Sequence, residues 1–287
     1  MRIAYDNDFD TDTSPTVTSE ETRYPFSNTR DQRLSTKWRS TSTAAQTIVV
    51  QPNVDAAGTF TAAILGHNLS SAATVSLELN HDDIWGNPRY STTLTVVDGI
   101  ILKFVSALPN FDGDNLLLES GDNLLMESGD AILLEETTTL EYARFVITDT
   151  SNIDGYVEAG RFFLGPYTTI DPSSLHDFTV VKKRSDTVIY GKDRHKFANP
   201  GVGWRRFELT FPPTDGTMLA EIQDMFDSVG NHTSFIFANF DSLRVADGTQ
   251  YQIVEPCYVS IDGDITFQRT GLGGLKFNYS LALEEDR

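Results

Sequence analysis

The chain has 287 residues, 39% hydrophobic and 11% aromatic, which excludes a disordered polypeptide and leaves room for two domains of ordinary size. A formal net charge of −19 argues against a general nucleic-acid-binding surface. The single cysteine, Cys257, excludes an internal disulfide framework, and no apolar run approaches the roughly 20 residues that span a bilayer, so membrane insertion is not expected.

From the first residue onward, Met1 to Asp8 lack the apolar core of a secretion signal. Short β-branched or aromatic runs follow at Ile48–Val50, Phe60–Leu65, Val75–Leu79, Leu94–Val97, Ile100–Val105 and Phe145–Ile147. Turn clusters such as Gly66-His67-Asn68, Asn87-Pro88 and Asp98-Gly99 separate them. Strands at this spacing without helical periodicity predict an antiparallel sandwich or jelly roll. Within it, Trp85 and Tyr90 sit in a loop-like stretch from His81 to Tyr90, and filling the core or an interface is the favoured reading of both.

An eight-residue repeat begins at Asp114-Asn-Leu-Leu-Leu-Glu-Ser-Gly121 and recurs from Asp122 and from Asp130. Five residues suit a short strand and Ser-Gly-Asp a tight turn, so the segment 112–141 reads as an acidic hairpin arm. Its period and glycine content differ from those of calcium-binding β-rolls, and solvated hairpin tips account for it better than a metal ladder. Turn residues at Gly165-Pro166 and Asp171-Pro172 mark a boundary between domains 1–170 and 171–287.

In the second domain, eight basic residues (Lys182, Lys183, Arg184, Lys192, Arg194, Lys196, Arg205 and Arg206) face only Asp186 and Asp193 in the interval 182–206. In so acidic a protein this is read as a subunit contact rather than a nucleic-acid site. Phe207, Leu209 and Phe211 alternate with polar residues as a half-buried strand, which Pro212-Pro213 is expected to end. Met218, Ile222, Met225, Phe226 and Val229 then recur at helical spacing, Gly230 supplies the stop, and a helix over 217–229 is predicted. Phe235-Ile236-Phe237 resumes as a strand. Cys257 lies in the apolar run Ile253–Val259 and is read as a buried structural thiol.

Catalytic patterns are missing. The five histidines form no paired metal motif, no nucleophile elbow precedes a helix, and Gly271-Leu-Gly273-Gly274 reads as a hairpin turn. Neither an enzyme nor a cofactor is expected.

Residues from about Val180 to the end resemble the distal-tail and minor-tail proteins of long-tailed bacteriophages. The resemblance rests on Thr187-Val-Ile-Tyr-Gly-Lys, Trp204-Arg-Arg-Phe-Glu-Leu-Thr-Phe, the helix with its Gly230 stop, Ser234-Phe-Ile-Phe, Tyr251–Tyr258 and Phe277-Asn-Tyr-Ser-Leu-Ala-Leu-Glu-Glu. It implies a β-sandwich with a flanking helix, assembled with copies of itself into a ring, a hexamer for preference. Such a ring extends the tail tube at the virion tail tip, contacts other tail-tip and tail-tube proteins, and is put together in the host cytoplasm. The first domain is similar to galactose-binding-like and discoidin jelly rolls through Leu34-Ser-Thr-Lys-Trp38-Arg, Ile64–Leu69, Tyr142–Thr148 and Glu158–Gly165. That likeness implies a glycan site on loops at one end, where Trp85 and Tyr90 would stack on sugar rings, and it adds a host-surface glycan as a further partner. The fold class expected is therefore mainly β: an N-terminal sandwich or jelly roll, then a C-terminal sandwich with one flanking α-helix. The expected role is a structural tail-tip protein, with a carbohydrate-binding adhesion module as the alternative.

Overall fold

A computed structural model describes all residues except 12–14, 53–58, 98, 106–139, 171–176, 191–195, 200, 215, 245–249, 265, 271–275 and 287. The first twelve strands are β1 (Arg2–Ala4), β2 (Thr16–Val17), β3 (Trp38–Arg39), β4 (Gln46–Val50), β5 (Phe60–Leu65), β6 (Thr74–Asn80), β7 (Tyr90–Leu94), β8 (Ile100–Val105), β9 (Tyr142–Thr148), β10 (Glu158–Ala159), β11 (Arg161–Pro166) and β12 (Thr168–Thr169). Then come β13 (Asp177–Arg184), β14 (Thr187–Tyr190), β15 (Lys196–Asn199), β16 (Gly203–Thr214), β17 (Phe235–Arg244), β18 (Gln250–Ile261), β19 (Thr266–Thr270) and β20 (Lys276–Glu285). Helices are few: α1 (Asp8–Thr11), a 3-10 turn at Phe26–Arg30 and α2 (Gly216–Val229). The chain is mainly β, and its sheets are antiparallel.

The sandwich sets a five-stranded sheet, ordered β2-β4-β9-β6-β7, over a three-stranded sheet, β11-β5-β8. Alternation explains the larger sheet. In β9, Ala143, Phe145 and Ile147 are buried while their neighbours are half-exposed, and β4 and β6 follow the same rule. Between the sheets, Phe162 sits amid Phe26, Phe145, Phe9 and Trp38, with ring centroids 5.5, 5.6, 5.8 and 5.9 Å away. Each such pair adds about 0.5–1.5 kcal/mol beyond its buried area.

In the smaller sheet, β5 and β11 break the alternation because both of their faces are covered. All six residues of β5 are buried. One side meets the sandwich core; the other, through Ala63, Leu65 and Phe163, meets Ala4, Ile236 and Tyr258 of the next sheet. A strand covered on both faces reads as a continuous apolar run.

That next sheet has eight strands, ordered β12-β1-β17-β18-β20-β16-β13, with β19 on β20. Its far face carries Phe207, Leu209, Phe211, Phe235, Phe237 and Leu281, on which Ile222, Met225 and Val229 of α2 pack. Four layers result: five strands, three strands, eight strands and a helix. The helix ends as expected, with Gly230 at φ 55° and its N–H donating to the Phe226 carbonyl at 2.8 Å.

Three expectations change. β1 and β12 belong to the eight-stranded sheet, Arg2 pairing with both Thr169 and Ala238, so the opening residues are not part of the sandwich. β16 runs through Pro212-Pro213 to Thr214; the prolines cost ladder bonds and shift the register between Phe211 and Thr214 without ending the strand. The fourth strand is Tyr90–Leu94 rather than Leu94–Val97, because register against Val75–Leu79 selects it. The acidic repeat of 112–141 falls almost entirely outside the described residues.

The edge of β11 is closed by a side chain. Asn7 donates from Nδ2 to the Phe162 carbonyl at 3.0 Å, and its Oδ1 accepts from the Leu164 N–H at 3.1 Å, so one amide stands in for a strand residue. The chain there runs so close to β11 that a Cβ on Gly165 would lie 1.8 Å from the Asp6 carbonyl oxygen. Beside it, the almost fully buried Arg161 forms an ion pair with Asp10 and reaches the carbonyls of Thr29, Arg30 and Asp31. Burial raises the Asp10 carboxyl above the usual range, and Arg161 pulls against that rise.

Candidate functional site

The loop from His81 to Arg89 joins β6 to β7 at the end of the sandwich where Val50, Val105 and Tyr142 also lie. Its shape is set by short internal bonds. Asn80 Nδ2 donates to Asp82 Oδ1 at 2.9 Å and to the Ile84 carbonyl at 2.6 Å, while the Ile84 N–H donates to Asp82 Oδ1 at 3.2 Å. Asx contacts of this kind replace strand pairing with a fixed turn.

The two aromatic candidates part company here. Tyr90 turns inward: its ring meets Phe60 edge-on, 6.3 Å between centroids, and packs on the sandwich core. Trp85 turns outward and lies over the solvent side of the five-stranded sheet, half-buried. The Arg144 guanidinium sits over its ring, 4.4 Å from the centroid, and Arg144 is itself held by Glu78 through an Nε bond of 2.9 Å. The indole N–H donates to Asp83 Oδ1 at 2.6 Å. Glu78, Arg144, Trp85 and Asp83 therefore form one chain of contacts that fixes the indole. Ile84, 68% exposed, and the His81–Asp82 pair at 3.4 Å flank it. A fixed aromatic face with carboxylate and imidazole groups beside it offers stacking to a sugar ring and acceptors to its hydroxyls.

The opposite end of the sandwich holds a cluster that sequence reasoning missed. Arg39 lies between the rings of Tyr24 and Tyr156, 4.0 Å from each centroid, and donates to Glu158 at 2.8 Å. Lys37 Nζ donates to the other Glu158 oxygen at 2.6 Å. Burial alone would raise the Glu158 carboxyl, but the bonds from Lys37 and Arg39 win and hold it below the ordinary range. With every charged group engaged, this cluster is a clasp between β3 and β10. Only its aromatic and basic residue types were visible in the sequence; residues 24, 39 and 156 are too far apart to be read as one motif.

The basic candidates divide as well. Cα pairing places Lys182 opposite Arg205, Lys183 opposite Trp204 and Val181 opposite Arg206, so five of the eight gather on β13 and β16. Four have internal partners: Lys183 with Glu284 at 3.8 Å, Arg184 with Asp186 at 3.1 Å, Arg205 with Glu285 at 2.8 Å and Arg206 with Asp262 at 2.9 Å. Lys196 lies on β15, and Lys192 and Arg194 fall outside the described residues. Among the described residues no group of three or more potential metal ligands converges. Cys257 is buried, and burial pushes its thiol up to about 12, far from a nucleophile's range. No described helix is long and apolar enough to cross a membrane.

No family model and no curated protein matches the chain. Among solved structures, it is similar to a chitosan-binding module of a chitosanase/glucanase from Paenibacillus sp. IK-5, at 17% identity and a TM-score of 0.30, over 53% of this chain and 93% of that one. It is also similar to a CBM32 module from Clostridium perfringens in complex with GalNAc-β-1,3-galactose, at 14% identity and a TM-score of 0.32, over 55% and 99%. A third likeness is to the CBM32 of AlyQ in complex with 4,5-unsaturated mannuronic acid, at 18% identity and a TM-score of 0.30, over 57% and 98%. Scores this low carry no argument, so what this chain can bind follows from its own side chains.

Proposed function

We propose that the sandwich is a carbohydrate-binding module that attaches the protein to a surface glycan through the loop 81–89. The observation that carries this reading is Trp85. An indole half in water would normally be mobile, yet this one is held between Arg144 and Asp83. A platform immobilised before binding loses little side-chain entropy when a sugar stacks on it. Asp82, Asp83 and His81 lie within the same loop to receive hydroxyl protons. Binding, not turnover, is the role, and no cofactor is needed.

The test is a glycan array followed by titration calorimetry of a hit. Trp85→Ala should weaken binding about fivefold or more, since stacking on an aromatic is worth on the order of 1–3 kcal/mol, while circular dichroism stays unchanged. Equal binding by wild type and Trp85→Ala would sink the Trp85 platform. No binding to any glycan would sink the module.

A second reading, a structural protein of a bacteriophage tail tip, is favoured by one specific observation. The strand, helix, aromatic strand and final acidic-ended strand that carry the resemblance fold as one unit, β16, α2, β17, β18 and β20 around a shared core. Purified virions probed by mass spectrometry check it: absence of the chain from intact particles removes it.

A further inference from the structure

Charge around the Trp85 indole is one-sided. Neither Arg144 nor Arg89 offers the loop 81–89 a free cation. Arg144 is paired with Glu78, which the register of β6 and β9 sets opposite it. Arg89 is half-buried and already engaged within the protein. The acids are placed differently. Asp82 spends Oδ1 on the Asn80 amide and the Ile84 N–H, and its Oδ2 stands 3.4 Å from His81 Nε2. Asp83 is exposed and gives the indole N–H only Oδ1, at 2.6 Å.

A carboxylate has about four lone-pair sites, so Asp83 keeps most of its acceptor capacity. The bond to the indole fixes where that capacity lies, beside the pyrrole edge of the ring and next to whatever stacks on its face. The flank is open as well: a Cβ on Gly86 would meet nothing within 4 Å beyond its own chain neighbours. An aromatic face discriminates poorly among pyranose rings, because each of them presents C–H groups to it. Selectivity then falls to the few polar groups at the rim, and here these are carboxylates.

We infer that the glycan this loop takes carries free amino groups, a hexosamine in its ammonium form, selected over its N-acetylated counterpart and over acidic sugars. The inference rests on the reading of 81–89 as a sugar platform and adds what that platform prefers. An ammonium brings three donors and makes charge-assisted bonds with Asp83 and Asp82. An N-acetyl group in its place is a neutral amide with one N–H. A uronate carboxylate sets like charge against both aspartates, which disfavours it outright. The field of a chain at −19 acts in the same direction. Where His81 is protonated it competes for Asp82, which leaves Asp83 as the principal partner.

Titration calorimetry of the full chain at about pH 6, above the carboxylate range and below that of amines, compares three probes. They are an oligomer of glucosamine, its fully N-acetylated counterpart and an oligomer of galacturonic acid. The amine form should bind about threefold or more tighter than the acetylated one, the reach of an exposed ion pair, and the uronate should bind weakest. Asp83→Asn keeps an oxygen acceptor for the indole N–H but removes the charge, and should bring the amine-to-acetyl ratio close to one. Asp264→Asn, at an exposed carboxylate between β18 and β19, should leave that ratio where it is. Equal affinity for the amine and acetylated oligomers overturns the inference and leaves the module standing. So does a ratio that Asp83→Asn does not move, or one that Asp264→Asn moves as far. If no glycan binds at all, the module and the inference fall together.

Discussion

β5 and β13 are both strands in which apolar residues stand side by side, and they have opposite fates. Phe60 to Leu65 are buried throughout, between the sandwich core and the eight-stranded sheet. Val180 and Val181 are exposed on both faces of a strand at the margin. The same residue types therefore serve a core in one place and a surface in the other. Position in the stack of layers, rather than local hydrophobicity, decides which.

The contrast can be broken most directly at its buried pole. Phe162→Ala, in the centre of the aromatic cluster, should cost about 4 kcal/mol in chemical denaturation, from lost transfer energy plus the cavity left behind. A loss under about 1 kcal/mol would mean that the cluster is not the centre of the sandwich. Arg161→Met should cost about 3 kcal/mol, because Asp10 and the carbonyls of Thr29 to Asp31 would lose their buried partner. Gly165→Ala should follow at about 2 kcal/mol, since its methyl group has no room beside the Asp6 carbonyl.

Smaller effects sharpen the comparison. Glu158 is held below its ordinary range in the folded protein, so its contribution is present above the unfolded carboxylate range and fades as pH falls through the folded value. Thermal melts of Glu158→Gln against wild type should therefore differ at neutral pH and converge in acid; a gap that persists in acid would assign the difference to packing. Val181→Thr, on the exposed margin, should change monomer stability by no more than about 0.5 kcal/mol. A larger loss would show that β13 is covered within one chain.

Much of the fold was legible because it depends on short-range pattern. The β-branched and aromatic runs of β4, β6 and β9, the alternation of Phe207, Leu209 and Phe211, the helical spacing of Ile222, Met225 and Val229, and the Gly230 stop are consequences of strand and helix geometry acting on neighbouring residues. The site was legible only in part. Trp85 and Tyr90 share one loop and similar chemistry, yet one reaches the core beside Phe60 and the other lies over Arg144. That choice depends on which β9 and β5 residues stand across the sheet. Likewise the stack of Tyr24, Arg39 and Tyr156 joins residues whose separation conveys no pattern.

By itself the sequence determined the class of the protein: β-rich, acidic, with one amphipathic helix and without a catalytic motif. Those properties follow from composition and from periodicity along the chain. Tertiary structure alone decided that β1 crosses into the eight-stranded sheet, that β5 is dry on both faces, and that Asp10 meets Arg161 across 151 positions. It also decided that the basic residues of β13 and β16 are mostly paired at home, leaving the valine margin as the open surface. The physical reason is common to all of these. Burial and ion pairing depend on which layer covers which, and layer contacts join segments too distant in the chain for any local pattern to encode.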